Sequence, residues 1–211
     1  MSERKHYGYL WLAELKKFAK NLRKDHPDLK YSQRLDLSAQ HLAGLRHYHH
    51  ATVLHKKYMK SLQEGRGPNL VNCRYCDFTY CSDLEEDLKQ HEDRHLKYEK
   101  AVKALGYKPE VREEREDSKQ VAYDGMYLQK GYPKKQAKFA LKLIKAHFDR
   151  SLEAAIDGGY WEKHPTFEEF AAMMDYGPST IPPKAMSMIR EKYGRTEGRI
   201  PEGHSYWFPE T

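Results

Sequence analysis

No run of roughly 18 apolar residues occurs in the chain, so no segment is expected to cross a membrane as a helix. Residues 1–6 are charged and lack the apolar core of a secretory leader. Cysteine is scarce: there are 3, an odd number, and two of them, Cys73 and Cys76, stand as Cys-x-x-Cys. That excludes a disulfide framework and points to metal chemistry in a reducing, intracellular compartment, cytoplasm or nucleus. There is no internal repeat. No nucleophile triad, phosphate-cradling loop or carboxylate pair stands out, so the chain reads as a binding protein rather than an enzyme.

Charge and tyrosine are plentiful. Of 211 residues, 32% are charged against 39% hydrophobic, and 16 are tyrosine, a side chain suited to half-buried surfaces. The mean hydropathy of −0.96 implies exposed helix faces or solvated linkers. The net charge of +6 is unevenly spread: residues 1–72 carry 14 Lys+Arg against 6 Asp+Glu, whereas residues 73–120 carry 10 against 13. A basic N-terminal third attracts polyanions such as nucleic acid; the competing reading is an ordinary lysine-rich surface.

Apolar spacing predicts a mostly α protein. Trp11, Leu15, Phe18 and Leu22 form one helical stripe, with Lys16, Lys17, Lys20, Arg23 and Lys24 largely around the other side. A second helix fits residues 32–42, capped by Ser32 and ended near Gly44. A third fits residues 47–62, with Tyr48, Ala51, Leu54, Tyr58 and Leu62 inward. Residues 63–69 read as a linker. A long helix carries Leu84, Leu88, His91, His95, Tyr98, Val102 and Leu105 to a stop at Gly106. Residues 108–119 read as a charged linker or exposed helix, and residues 121–128 permit a tight hairpin at Asp124–Gly125. Pro133 opens a helix whose stripe is Ala137, Leu141, Ile144, Phe148, Leu152 and Ile156. Thr166 and Glu169 make a capping box, a last helix runs over residues 182–193, and Tyr206, Trp207, Phe208 and Pro209 form an extended tail. The expected organisation is helical-bundle units flanking a ββα-type zinc finger with an extended helix: a basic unit at 1–65, the finger at 70–106 and a C-terminal unit at 120–211.

The finger reading rests on ligand spacing. Cys73-x-x-Cys76 is followed by 14 residues and then His91-x-x-x-His95. A Cys-x-x-Cys turn offers two thiolates from one knuckle, and two histidines four apart share a helix face, so the set suits tetrahedral Zn²⁺. Tyr80 and Leu88 sit where such a finger places its small core. The alternative is a pair of buried reduced thiols beside surface histidines. Cys81 is a further possible ligand or a plain thiol.

With Phe78, Tyr80 and the acidic pair Glu86–Asp87 added, the pattern resembles the finger that precedes the catalytic domain in the cohesin (cohesion-establishment) acetyltransferases. The resemblance covers only about residues 71–98. It does not extend to the enzyme: Arg195-Thr196-Glu197-Gly198-Arg199-Ile200 mimics only the first half of an acetyl-CoA loop, with no strand before it. Acetyl transfer is therefore rejected.

The positions where a DNA-reading finger contacts bases are Leu84, Glu86, Asp87 and Gln90, flanked by Asp83, Glu85, Glu92 and Asp93. Such a face repels phosphate, so the finger is expected to staple a helical fold or to touch a protein. His47 and His55 share a helix face within a histidine-dense stretch, but no diagnostic partner makes them a second metal site. Residues 166–193 can be read as a helix-turn-helix through Phe170-Ala171-Ala172 and Gly177, although Pro182–Pro183 fits poorly inside a recognition helix. Asp93-Arg94-His95 faintly echoes a His-Asn-His nuclease, whose remaining ligands are missing.

The leading expectation is a zinc-stabilised nucleic-acid-binding protein, DNA above all, with weak sequence preference. It would contact phosphates through Lys16, Lys17, Lys20, Arg23 and Lys24. Its rival is a zinc-finger adaptor, of viral or plasmid type, that binds a protein partner through the acidic finger helix; a metal-dependent nuclease ranks below both.

Overall fold

The computed structural model describes residues 6–176, 179–196, 200 and 206–209. Among these residues there are eight α-helices and one small antiparallel sheet, and no helix is long and apolar enough to cross a membrane. The chain divides into two compact units, residues 1–104 and 105–211.

The first unit opens with α1 (Tyr9–Asn21), α2 (Tyr31–Ala43) and α3 (Tyr48–Ser61). Helix α1 buries Leu15 and Ala19, and α2 buries Ser38 and Ala39. The Ser38 hydroxyl donates to the Leu15 carbonyl at 2.7 Å, a polar stitch inside the α1–α2 contact. Ser32 lies within α2 and does not cap it. Instead the Gln33 side chain reaches back to accept from the Lys30 N–H at 2.8 Å, satisfying one of the free donors of the first turn. The inward stripe of α3 is Ala51, His55 and Met59, rotated one position from the expected set, because His55 turns in to meet the Tyr7 carbonyl at 2.8 Å.

Residues 63–69 are not a linker. They contain β1 (Gln63–Gly65), which pairs antiparallel with β2 (Leu70–Cys73), and β2 pairs with β3 (Thr79–Cys81) in the order β1-β2-β3. Gln63 faces Cys73 and Val71 faces Tyr80. The turn between β2 and β3 carries Cys76 and closes through Asp77, which adopts a left-handed φ of 56°, a conformation that Asp tolerates better than most residues. Helix α4 (Glu85–Leu105) follows. It buries His91, His95, Tyr98, Glu99 and Ala101. Leu84, Leu88 and Leu105, expected inside, are 53%, 41% and 42% exposed. The buried face is one of rings and a carboxylate, so the leucine spacing was a misleading guide.

In the second unit the charged stretch and the supposed hairpin are one helix, α5 (Arg112–Leu128). Gly125 lies buried within it, where a β-carbon would meet the Phe139 ring at 2.2 Å. The glycine thus permits close helix packing and makes no turn. The partner is α6 (Pro133–Gly158), opened by Pro133 as expected and buried on two faces. Ile144, Phe148, Leu152 and Ile156 are buried as the stripe predicts, whereas Ala137 and Leu141 are only half-buried. Asp149, fully buried on α6, accepts from the Tyr107 hydroxyl, from Lys145 Nζ at 3.1 Å and from the Glu110 N–H at 3.2 Å. Helix α7 (Phe167–Met173) starts at the expected capping box, with the Thr166 N–H donating to Glu169 at 2.8 Å. Helix α8 (Pro183–Tyr193) comes nine residues later, too long a connection for a helix-turn-helix, whose turn takes about three or four. Gly177 of that reading lies outside the described residues, as do residues 197–199 of the loop over residues 195–200. In the tail, the Trp207 N–H donates to buried Ser151 Oγ at 2.9 Å.

Candidate metal centre

The end of β2, the turn after it and one face of α4 bring four donors together. Cys73, Cys76, His91 and His95 are all buried, and one ligand atom from each lies within 4.8 Å of the others. This is the only such group of metal-binding side chains among the described residues, so His47 and His55 form no second site. Cys81 is half-buried and stands outside the group.

The electrostatics show what the four donors lack. The Cys73 thiol is held well below the ordinary thiol range, chiefly because the Cys76 thiol hydrogen-bonds to it, with help from His91 and His95 against the cost of burial. Cys76 is pushed far above that range, because it is the donor to Cys73 and because burial and the neighbouring thiolate both oppose a second charge. Two thiolates this close and this buried repel each other. A divalent cation is the group that lets both ionise. Nε2 of His91, like Nε2 of His95, is buried without a hydrogen-bond partner among the described residues. The residues present thus fit a metal ion.

Both imidazoles are clamped by rings. Tyr80 stacks on His91 with centroids 4.3 Å apart, and Tyr75 stacks on His95 at 4.7 Å. Tyr9, from the start of α1, meets His91 and His95 edge-on at 6.2 and 5.4 Å. Of the small core expected from sequence, Tyr80 is buried at 2% exposure while Leu88 faces outward, its place taken by these rings.

Behind the donors sits a residue that the spacing argument missed. His95 turns Nδ1 towards Cys73 Sγ at 3.4 Å and Nε2 towards Glu99 Oε1 at 3.2 Å. Glu99 is 3% exposed; its Oε1 also lies 3.5 Å from His6 Nδ1, and its Oε2 accepts the Leu10 N–H in the first turn of α1. A carboxylate on the far nitrogen of a ligand histidine fixes the ring's tautomer and strengthens it as a donor. Here the same carboxylate occupies the N-terminus of α1, where a negative charge is favoured. Burial opposes charge on His95, but the Cys73 thiolate and Glu99 outweigh it and raise its pKa. Gly8 makes the approach possible, since a β-carbon there would lie 1.4 Å from Glu99 Oε1. The signal was in the sequence: Glu99 stands four residues after His95, on the same helix face.

The other sequence candidates lie apart from this centre. Lys16, Lys17, Lys20, Arg23 and Lys24 are all exposed, on α1 and just after it, and none has a carboxylate partner among the described residues. On the outer face of α4, Glu85, Glu86, Lys89, Gln90 and Asp93 line a shallow, open surface. Asp87 has a structural task instead, accepting the Cys81 N–H at 2.8 Å. Comparison with known protein families, with curated proteins and with solved structures finds no match.

Proposed function

We propose that this chain is a zinc-stabilised nucleic-acid-binding protein of weak sequence preference, DNA being the first candidate. Zn²⁺ is the ion that two thiolates and two imidazoles select, and it would act as a structural staple, since four protein donors leave no open position for chemistry. The succession β2, β3, α4 supports reading the centre as a two-Cys-two-His finger with one added strand. The narrower resemblance to the cohesin acetyltransferase finger rests on its residue pattern alone.

The observation that carries the nucleic-acid reading is the set of five exposed basic side chains from Lys16 to Lys24, none with a carboxylate partner among the described residues. Flexible lysines on one helix suit phosphate contacts that hold a polyanion without reading bases. The second reading, a protein-interaction adaptor, draws on Leu84 and Leu88, which are exposed beside the acidic residues of α4. Apolar groups ringed by charge suit a protein partner better than a phosphate backbone.

The test combines metal content by mass spectrometry, for wild type and Cys76→Ser, with an oligonucleotide titration at two salt concentrations. About one zinc per chain, lost in the variant, is expected. Binding should weaken steeply with salt, by roughly 0.7 to 0.9 log units per log unit of salt for each phosphate contacted. Zinc without any nucleic-acid binding would overturn the reading in favour of the adaptor.

A further inference from the structure

Residues 121–211 carry 13 Lys+Arg against 12 Asp+Glu, a balance that conceals a strongly basic segment. Between Asp124 and Asp149 there is no acidic residue, while six lysines stand at 130, 134, 135, 138, 142 and 145. Helix α6 arranges them. Lys135, Lys138, Lys142 and Lys145 follow one another at intervals of three, four and three residues, which sets them on one face over about 15 Å of helix. They line an open groove of about 750 Å³ together with Phe139, Leu141 and Phe167. Lys130, Lys134, Lys135, Lys138 and Lys142 are exposed and have no carboxylate partner among the described residues; Lys145, at the groove's end, is held by Asp149 at 3.1 Å. At the α5–α6 turn, Tyr127 is 80% and Tyr132 61% exposed, and Lys135 Nζ lies 5.1 Å from the Tyr132 ring.

We infer that this groove binds single-stranded nucleic acid. A lysine row with the exposed Tyr127 and Tyr132 rings near its start has two recognition elements, a cationic track and planar apolar surfaces. A single strand supplies the counterpart of both, a regular anionic backbone and unstacked bases. A duplex would satisfy the lysines and leave the rings idle, because its bases are stacked on one another. An acidic peptide would answer the charge but offers no repeating planar group. The inference rests on the proposed nucleic-acid reading and deepens it, adding a second surface and the form of the ligand.

The experiment is fluorescence anisotropy of the zinc-loaded full chain with a labelled oligothymidylate, its duplex counterpart and, as competitor, polyglutamate. Three variants are compared with wild type: Lys138→Gln/Lys142→Gln, Tyr132→Ala, and Lys17→Gln/Lys20→Gln on α1. All change exposed side chains, and circular dichroism checks their folding. The α6 lysine pair should weaken binding by about tenfold or more near 0.1 M salt and reduce the slope of log affinity against log salt by about 1.4. Tyr132→Ala should cost roughly fivefold or more, and the single strand should bind more tightly than the duplex. If the α6 variants bind like wild type while the α1 variant fails, this inference falls and the proposed function stands. If wild type binds no oligonucleotide, both fall. Preference for polyglutamate over the single strand would overturn the inference in favour of an acidic protein partner.

Discussion

Replacing Glu99 by Gln tests how the metal centre is tied to the N-terminal helix. The substitution keeps the side chain's shape but leaves one accepting oxygen where there were two. In the native arrangement Oε2 takes the Leu10 N–H and Oε1 faces His95 Nε2 at 3.2 Å. A glutamine can accept from one of these donors and must turn its own N–H₂ towards the other. Removing the charge of a buried carboxylate 3.2 Å from the histidine ring costs roughly 1–2 kcal/mol of favourable interaction at His95. At about 1.4 kcal/mol per factor of ten, zinc affinity should fall about five- to thirtyfold, within reach of the tenfold to hundredfold typical of outer carboxylates. Competition with a chromophoric chelator measures it. Gly8→Ala is the companion variant: its β-carbon would lie 1.4 Å from Oε1 and displace the carboxylate, although Gly8 touches no ligand. If both variants stay folded and bind zinc within about twofold of wild type, Glu99 only caps α1 and the coupling is refuted.

Gly125→Ala should destabilise the second unit. A methyl group 2.2 Å from the Phe139 ring, with the ring's root atom at 2.4 Å, cannot be relieved by moving a flexible tip. Overpacking costs about 1–3 kcal/mol and the gain in helix propensity returns at most about 1 kcal/mol, so denaturant unfolding should show a net loss; unchanged or raised stability would contradict this packing. The same unit should lose stability in mild acid. Burial lowers the pKa of both His147 and His164 to about 4, whereas an unfolded histidine titrates near 6.5. Between those values the unfolded chain binds protons that the folded chain does not, so stability falls as the pH drops from about 6.5 towards 4. Thermal unfolding followed by fluorescence, to which Trp161 and Trp207 contribute in this unit, should show a falling midpoint already between pH 6.5 and 5, above the main carboxylate range. A midpoint that is flat over that interval would count against buried neutral histidines.

Local chemistry was legible along the chain. The Cys-x-x-Cys turn and the His-x-x-x-His helix face depend on spacing over a few residues, so the donor group could be assembled on paper. The same holds for Pro133 at the start of α6 and for the Thr166–Glu169 cap, both of which depend on residues one to three positions apart. Readings failed where the decisive partner was distant in sequence. Leu84 and Leu88 had the right period for a core, yet rings from Tyr9, Tyr75 and Tyr80 fill that space. Asp124–Gly125 had the composition of a turn, yet Gly125 is the place where Phe139 of another helix comes closest. Residues 63–69 looked like a linker until pairing with β2 made a strand of their first three. Net charge over a long window hid the lysine row, because only helix α6 sorts those residues onto one face. The clustering of Cys73, Cys76, His91 and His95 and several helix limits were legible along the chain, because they are short-range matters of geometry and capping. Only tertiary structure decided which faces are buried, where Glu99 reaches and which lysines share a groove, since each depends on residues that folding alone brings together.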